Sequence, residues 1–378
     1  MGKTVEGSTK QLITFCAWYF FLYVITGVAV KYFTGPADKG LLGIGEMEYL
    51  VYNTIGGSLI CLAIVFIYRW YRLKSNQLVP FGKWKIPVEI YYIIPSGICT
   101  AVVIPTTTLM YLLPISVMVA MVIMRGSIIV ISRLIDAIQI KQGILKKKVY
   151  WEEEYAVIFA IIAVAVHLLP GLGFLVNTDE GFKLYSALGA KKGEFAFLQS
   201  PVAMVILGSY LTAYFIRIYI MNYFRNTRGK GVPQDNKGFF AIEQIAASGT
   251  MLIIGLILFH LVRSVAKPIV LYQQAFIAPT GYWPWEIASG LPYGILAFFS
   301  VFLFMFKGRT ATFAGLSNRL TSLVAGTTAT LLFAIIFGGK YPKIQDWISL
   351  IFIFIAAGFL AKAEKKRIAE LKAQQELA

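Results

Sequence analysis

Apolar residues along this chain gather into long blocks, divided by short segments rich in Lys, Arg, Gly and Pro. The blocks repeatedly reach the roughly 20 residues that an α-helix needs to cross a hydrocarbon core of about 30 Å. Ten such helices are predicted, over residues 11–33, 49–71, 88–110, 112–138, 154–176, 201–223, 241–264, 286–306, 311–337 and 344–362. Pro80, Pro87, Pro114, Pro201, Pro268, Pro284 and Pro342 mostly fall at or near the predicted ends, where a missing backbone N–H costs least. The first block, from Leu12 to Val30, has no small-residue cleavage site behind it, so it reads as a span and not as a signal peptide.

Composition agrees with this pattern. The chain has 378 residues, of which 58% are hydrophobic and only 14% charged, with a mean hydropathy of +0.69. Soluble domains carry roughly 25% charged residues, so the expectation is an all-α, multi-pass integral membrane protein. Charge then orients it. With the N-terminus on the cytoplasmic side, the inner segments hold 22 Lys and Arg and the outer segments 9, which is the bias expected of cytoplasmic loops. Ten spans place both termini in the cytoplasm. The net charge of +16 is thereby mainly topological, and with no aromatic-rich basic groove in view, nucleic-acid binding is not expected. Cys16, Cys61 and Cys99 all lie in apolar blocks, and there are two histidines in the chain. Neither a disulfide framework nor a metal site nor another cofactor is expected.

An internal repeat is visible. Ile94–Ile98 reads IPSGI and Ile287–Leu291 reads IASGL, 193 residues apart. The same offset carries Arg125 to Asn318, one position before Arg319. Five spans followed by five would make the second half enter from the opposite side, giving two inverted five-helix repeats. The expected organisation is a first repeat at 1–176, an outer loop at 177–200, a second repeat at 201–362 and a charged cytoplasmic tail at 363–378.

The stretches SVMVAMVIMRGS (Ser116–Ser127) and GGKYPKIQDW (Gly338–Trp347), together with the ten-span duplication, resemble the drug/metabolite transporter superfamily, in its EamA-like and nucleotide-sugar-transporter-like branch. The resemblance extends over nearly the whole chain. It implies a central cavity lined mainly by spans 1–4 and 6–9, peripheral spans 5 and 10, and transport by alternating access.

Candidate site residues follow from charge inside the spans. Arg125, Arg133, Arg217 and Arg319 all fall there. A charge facing lipid costs from about 3 to more than 10 kcal/mol, and a guanidinium cannot escape by losing its proton. Arg125 and Arg319 are therefore expected to face a cavity and hold an anion in their fork, with Asn318, Ser127, Thr321 and Ser322 supplying polar groups beside them. Structural pairing with a buried acid is the competing reading, and acids in the spans are scarce: Glu89, Glu243 and Glu286 fall near predicted ends. Arg133 is expected to pair with Asp136 three residues on, with a vestibule role for both as the alternative. Arg217 is expected to snorkel toward headgroups. His260 is a candidate entry contact, and Thr106 and Thr107 beside Pro105 a candidate gate. Tyr293 and the Trp283-Pro-Trp285 group read as an interfacial aromatic belt.

These features predict a secondary transporter for a small organic anion, such as a phosphorylated metabolite, a nucleotide-linked compound or a carboxylate, working by exchange or facilitated diffusion. Partners are the small-molecule substrate and the lipid bilayer, with the protein a monomer or homodimer. No G-x-S-x-G, H-E-x-x-H or Walker loop occurs, so enzymatic chemistry is not expected. An exporter of neutral or cationic compounds, a lipid scramblase and an anion channel are the alternatives. A bacterial inner membrane is the expected location, a eukaryotic organelle membrane the alternative.

Overall fold

The computed structural model describes residues 8–75, 77–112, 117–145, 149–166, 201–228, 232–262, 266–339, 341–342 and 344–376. Eleven α-helices occur among them: α1 (Thr9–Thr34), α2 (Glu46–Ile67), α3 (Ile90–Leu112), α4 (Val117–Lys141), α5 (Trp151–Ala165), α6 (Pro201–Asn226), α7 (Asn236–His260), α8 (Lys267–Ile277), α9 (Trp283–Phe304), α10 (Ala311–Phe337) and α11 (Ile344–Glu376). The protein is an all-α, multi-pass membrane protein. Eight helices among the described residues are long and apolar enough to cross a bilayer: α1, α2, α3, α6, α7, α9, α10 and α11. Of the other two expected spans, α4 carries Arg125, Arg133 and Asp136 along its length, and α5 is described over 15 residues only. Much of the fifth expected span, with the loop at 177–200, lies outside the described residues.

Three features were not anticipated. A small antiparallel hairpin, β1 (Leu78–Phe81) with β2 (Trp84–Pro87), precedes α3, and its turn uses Gly82 at φ 60°, a conformation only glycine adopts without strain. The short helix α8 fills the connection before α9. The charged tail continues α11 without a break to Glu376.

Local sequence sets the helix starts. Ser8 caps α1 by accepting from Gln11 N, Asp235 caps α7 by accepting from Gly238 N, and Thr310 caps α10 by accepting from Phe313 N at 3.0 Å. α10 closes on Gly338 in the left-handed conformation, φ 66°.

Helix packing comes largely in matched pairs. α2 packs on α9 as α7 packs on α3; α1 packs on α9 as α6 packs on α3; α1 packs on α10 as α6 packs on α4. α4 also meets α5 as α10 meets α11, while α4–α10 and α5–α11 are contacts between counterparts. Glycine allows the tightest of these crossings. A methyl at Gly290 would lie 2.1 Å from the Asn53 carbonyl oxygen, and one at Gly56 would lie 2.0 Å from that of Ile287. At the matched crossing, a methyl on Gly97 would meet the Glu243 carbonyl oxygen at 2.6 Å.

Gly290→Ala is expected to destabilise the protein by about 1–3 kcal/mol through overpacking. Gly208→Ala on α6, where a methyl meets nothing within 4 Å, is expected to be neutral or slightly stabilising. Thermal unfolding of the two purified variants beside the parent protein would check this contrast.

Candidate functional site

Arg125 is buried, with 9% of its surface exposed. Its Nη2 donates to Tyr23 Oη at 2.8 Å, and its guanidinium lies 5.8 Å from the centre of that ring. Tyr23 stands on α1, so the contact reaches across from α4. Gly326 on α10 stands beside the same guanidinium: a methyl there would be in ordinary van der Waals contact, 3.8 Å from both Nη atoms.

Arg319 shows the matching arrangement. Its guanidinium lies 5.4 Å from the ring centre of Tyr214 on α6 and 5.9 Å from that of Phe304. Contacts of this kind hold a desolvated cation against a π face at about 2 kcal/mol or more. Its Nε is buried with no hydrogen-bond partner. Neither Arg125 nor Arg319 forms an ion pair among the described residues, although both are close enough to act electrostatically on Tyr19.

The rings of Tyr19 and Tyr23 on α1 meet at a tilt with centres 5.8 Å apart, as do those of Tyr210 and Tyr214 on α6 at 4.8 Å. Both pairs are one helical turn apart, and they are separated from each other by 191 positions. The two arginines thus sit in a box of tyrosines contributed equally by matched helices. Tyr293 of α9 joins them, within electrostatic reach of Tyr23 and Tyr214, so it belongs to the interior and not to the expected aromatic belt. These tyrosines were the residues that sequence reasoning missed. The repeated Tyr-x-x-x-Tyr at nearly the offset of the arginines was the signal available.

The expected polar neighbours divide. Asn318 is fully buried. Its Nδ2 donates to Ser300 Oγ at 3.0 Å and its Oδ1 accepts from Tyr19 Oη at 3.5 Å, so it braces the tyrosine box. Thr321 Oγ1 donates to Ser317 O at 2.7 Å and Ser322 Oγ to Arg319 O at 2.9 Å. Each hydroxyl has one proton to give, and both give it to their own helix, leaving none for an anion. Ser127 is half-buried; two positions from Arg125, it points to another face of α4.

Arg133 does not pair with Asp136. It reaches Glu154 on α5 at 2.6 Å, in a partly exposed bridge. Asp136 is fully buried and has another task. Its carboxylate accepts from Ala311 N at 2.8 Å and from Thr312 N and Thr312 Oγ1 at 2.6 Å each. Asp136 of α4 therefore caps the N-terminus of α10, where a negative charge is favoured and orphan N–H groups need partners. It is not a vestibule group.

Arg217 does not snorkel. It is 7% exposed and forms a two-point ion pair with Glu243 of α7, Nε to Oε1 at 2.8 Å and Nη2 to Oε2 at 3.1 Å. Glu243 is fully buried and also accepts from Ser96 at 2.7 Å and Thr100 at 3.2 Å on α3. It is thus a deep carboxylate, where the sequence had suggested a helix-end one; Glu286 too is fully buried.

The remaining candidates lie apart from the box. His260 is exposed at the last position of α7, edge-on to the Phe259 ring. Thr106 and Thr107 donate to the carbonyls of Val102 and Val103, one turn back on α3. Among the described residues there is no cluster of three or more His, Cys, Asp or Glu able to hold a metal.

No protein-family model matches the chain, and no curated protein matches it. Solved structures do. One, titled only "Crystal structure of protein", is 13% identical, covers 96% of this chain and 99% of its own, and superposes with a TM-score of 0.50. At that identity the likeness is one of fold alone.

Asp136→Ala is expected to leave two buried N–H groups of α10 without partners. At about 1–3 kcal/mol for each such group, it should lower the unfolding temperature clearly. Arg133→Ala, which breaks a solvent-screened pair, should change stability by less than about 1 kcal/mol. Equal effects of the two variants in thermal unfolding would contradict the capping role.

Proposed function

We propose that this protein is a secondary transporter for a small organic anion, which binds between Arg125 and Arg319. The observation that carries the reading is the contrast among the arginines inside the spans. Among the described residues Arg217 pairs with a carboxylate, whereas Arg125 and Arg319 meet aromatic side chains and form no ion pair. A charge in a membrane interior without a counter-charge is costly. An anion arriving from solution would remove that cost, and the forks of Arg125 and Arg319 suit carboxylate or phosphate oxygens. The Tyr23 hydroxyl, which accepts from Arg125, would add a donor to it.

The matched packing of the helices supports reading the chain as two inverted five-helix repeats, with ten spans in all and both termini in the cytoplasm. On that reading α4 and α5 complete the set of spans. The arginines then occupy equivalent positions about a pseudo-two-fold axis in the membrane plane, where such repeats bind their substrates. Each guanidinium meets a tyrosine of its own repeat, Arg125 with Tyr23 and Arg319 with Tyr214, and Arg319 also lies within electrostatic reach of Tyr19 in the other half. Exchange or facilitated diffusion remains our reading of the transport mode, and a bacterial inner membrane that of the location. Export of a cation fits poorly, because the site would repel it. We read the protein as a carrier and not as an enzyme.

The test is a thermal-unfolding screen of the purified protein against phosphorylated and carboxylated metabolites. At least one such anion should stabilise the wild type. Arg125→Ala and Arg319→Ala should each weaken the half-saturating concentration by about tenfold or more, the worth of a charge-assisted hydrogen bond. Undiminished affinity in both variants would overturn the assignment.

A further inference from the structure

Buried ion pairs that only hold helices together can often be replaced by neutral contacts without loss, and this protein contains both versions of the same joint. Where α3 meets α7 across Gly97, Ser96 donates to Glu243. Where α9 meets α2 across Gly290, Asn53 Nδ2 donates to Ser289 Oγ at 3.1 Å and to Tyr49 Oη at 3.1 Å. Ser289 follows Ser96 by 193 positions and Glu243 follows Asn53 by 190, so the two joints are counterparts. At the α2–α9 joint the side chains that bond across it are neutral, with the buried carboxyl of Glu286 one turn before Ser289. The α3–α7 joint holds the ion pair of Glu243 and Arg217. An Arg–Glu pair is therefore not needed to join these helices, and this one is open to a second purpose.

Position suggests what that purpose is. Arg217 follows Tyr214, the ring beneath the Arg319 guanidinium, by three residues on α6. Arg217 and Arg319 both act electrostatically on that phenol and on each other. Arg217 thus borders the tyrosine box one helical turn from Tyr214. Its Nε and Nη2 already grip two carboxylate oxygens in the geometry by which a fork holds a phosphoryl group.

We propose that Arg217 is a third anion-binding guanidinium of this site, and that Glu243 is its resident counter-ion, displaced when a multiply charged, phosphoryl-bearing anion enters. Ser96 and Thr100 hold Glu243 independently of Arg217, so the carboxylate keeps donors when the arginine turns away. Arg125, Arg319, Arg217 and Glu243 together leave two positive charges uncompensated, which a dianion neutralises and a monocarboxylate does not. The inference rests on the anion-transport reading and narrows its substrate class.

The experiment measures the unfolding midpoint against inorganic pyrophosphate and against acetate, at constant ionic strength. It compares the wild type, Glu243→Gln and the double variant Arg217→Gln/Glu243→Gln, which buries no charge at this joint. With its competitor removed, Arg217 should lower the half-saturating pyrophosphate concentration of Glu243→Gln about tenfold relative to wild type. The double variant should require several-fold more pyrophosphate than wild type. Acetate should distinguish none of the three. If Glu243→Gln does not fold, the double variant still decides: equality with wild type overturns the proposal. Equal pyrophosphate response in all three proteins would place Arg217 outside the site and leave the anion reading standing. No response to pyrophosphate in any protein, wild type included, would overturn the proposal together with that reading.

Discussion

A guanidinium below the level of the lipid headgroups keeps its charge at any accessible pH, so the fold must give each one a counter-charge, a carbonyl, a π face or water. This protein uses several of these solutions. Arg217 takes a carboxylate. Arg225 takes the carbonyl of Phe304 at the end of α9, together with Asn222. Arg309, between α9 and α10, takes Glu364 of α11 and the faces of Phe306 and Phe313. Arg125 and Arg319 receive tyrosine. The last choice stabilises a cation without neutralising it, and so it leaves the interior able to receive a negative charge.

The polar groups near the start of α10 solve a different problem. α4 lends Asp136 to the backbone of α10, and α5 lends Glu153 to Thr310 at 2.6 Å. Thr9 and Arg309 converge on Glu364. Helices α1, α4, α5, α10 and α11 are therefore tied at one end of the bundle by carboxylates, of which Asp136 and Glu364 each serve more than one donor. Such networks rigidify when fully satisfied, in contrast to the aromatic contacts around Arg125 and Arg319.

Long apolar blocks made the membrane class and most helix limits legible in the sequence, because periodic length is a local property. That Arg125 would turn inward was legible too, because charge inside an apolar block has few explanations. Pairing was not. Arg133 and Asp136 are neighbours on a helix, and helical spacing argued for a bridge; the structure gives Asp136 to α10 and Arg133 to Glu154 because partners across a helix interface outrank those along it. Glu243 was read as a helix-end acid. Only the packing of α3, α6 and α7 brings it to Arg217. The tyrosine box was written in the chain as a repeated spacing, yet tyrosines in membrane proteins are common enough that the spacing stood out only after Tyr23 and Tyr214 were found on the arginines.

The glycine crossings carry a mechanical consequence. Where Gly56, Gly57, Gly290 and Gly294 bring α2 and α9 into backbone contact, and where Gly97 does the same for α3 and α7, there is little side chain between the backbones to change rotamer and absorb a displacement. Each pair is effectively welded and travels as a single strut. The seams from α1 to α4 and from α6 to α10 are bridged at the site by long side chains, Tyr23 with Arg125 and Tyr214 with Arg319. Compliance is therefore concentrated along the lines where Arg125 and Arg319 lie, and on the transport reading proposed above an occupant of the site would pull directly on the parts of the molecule that are free to move.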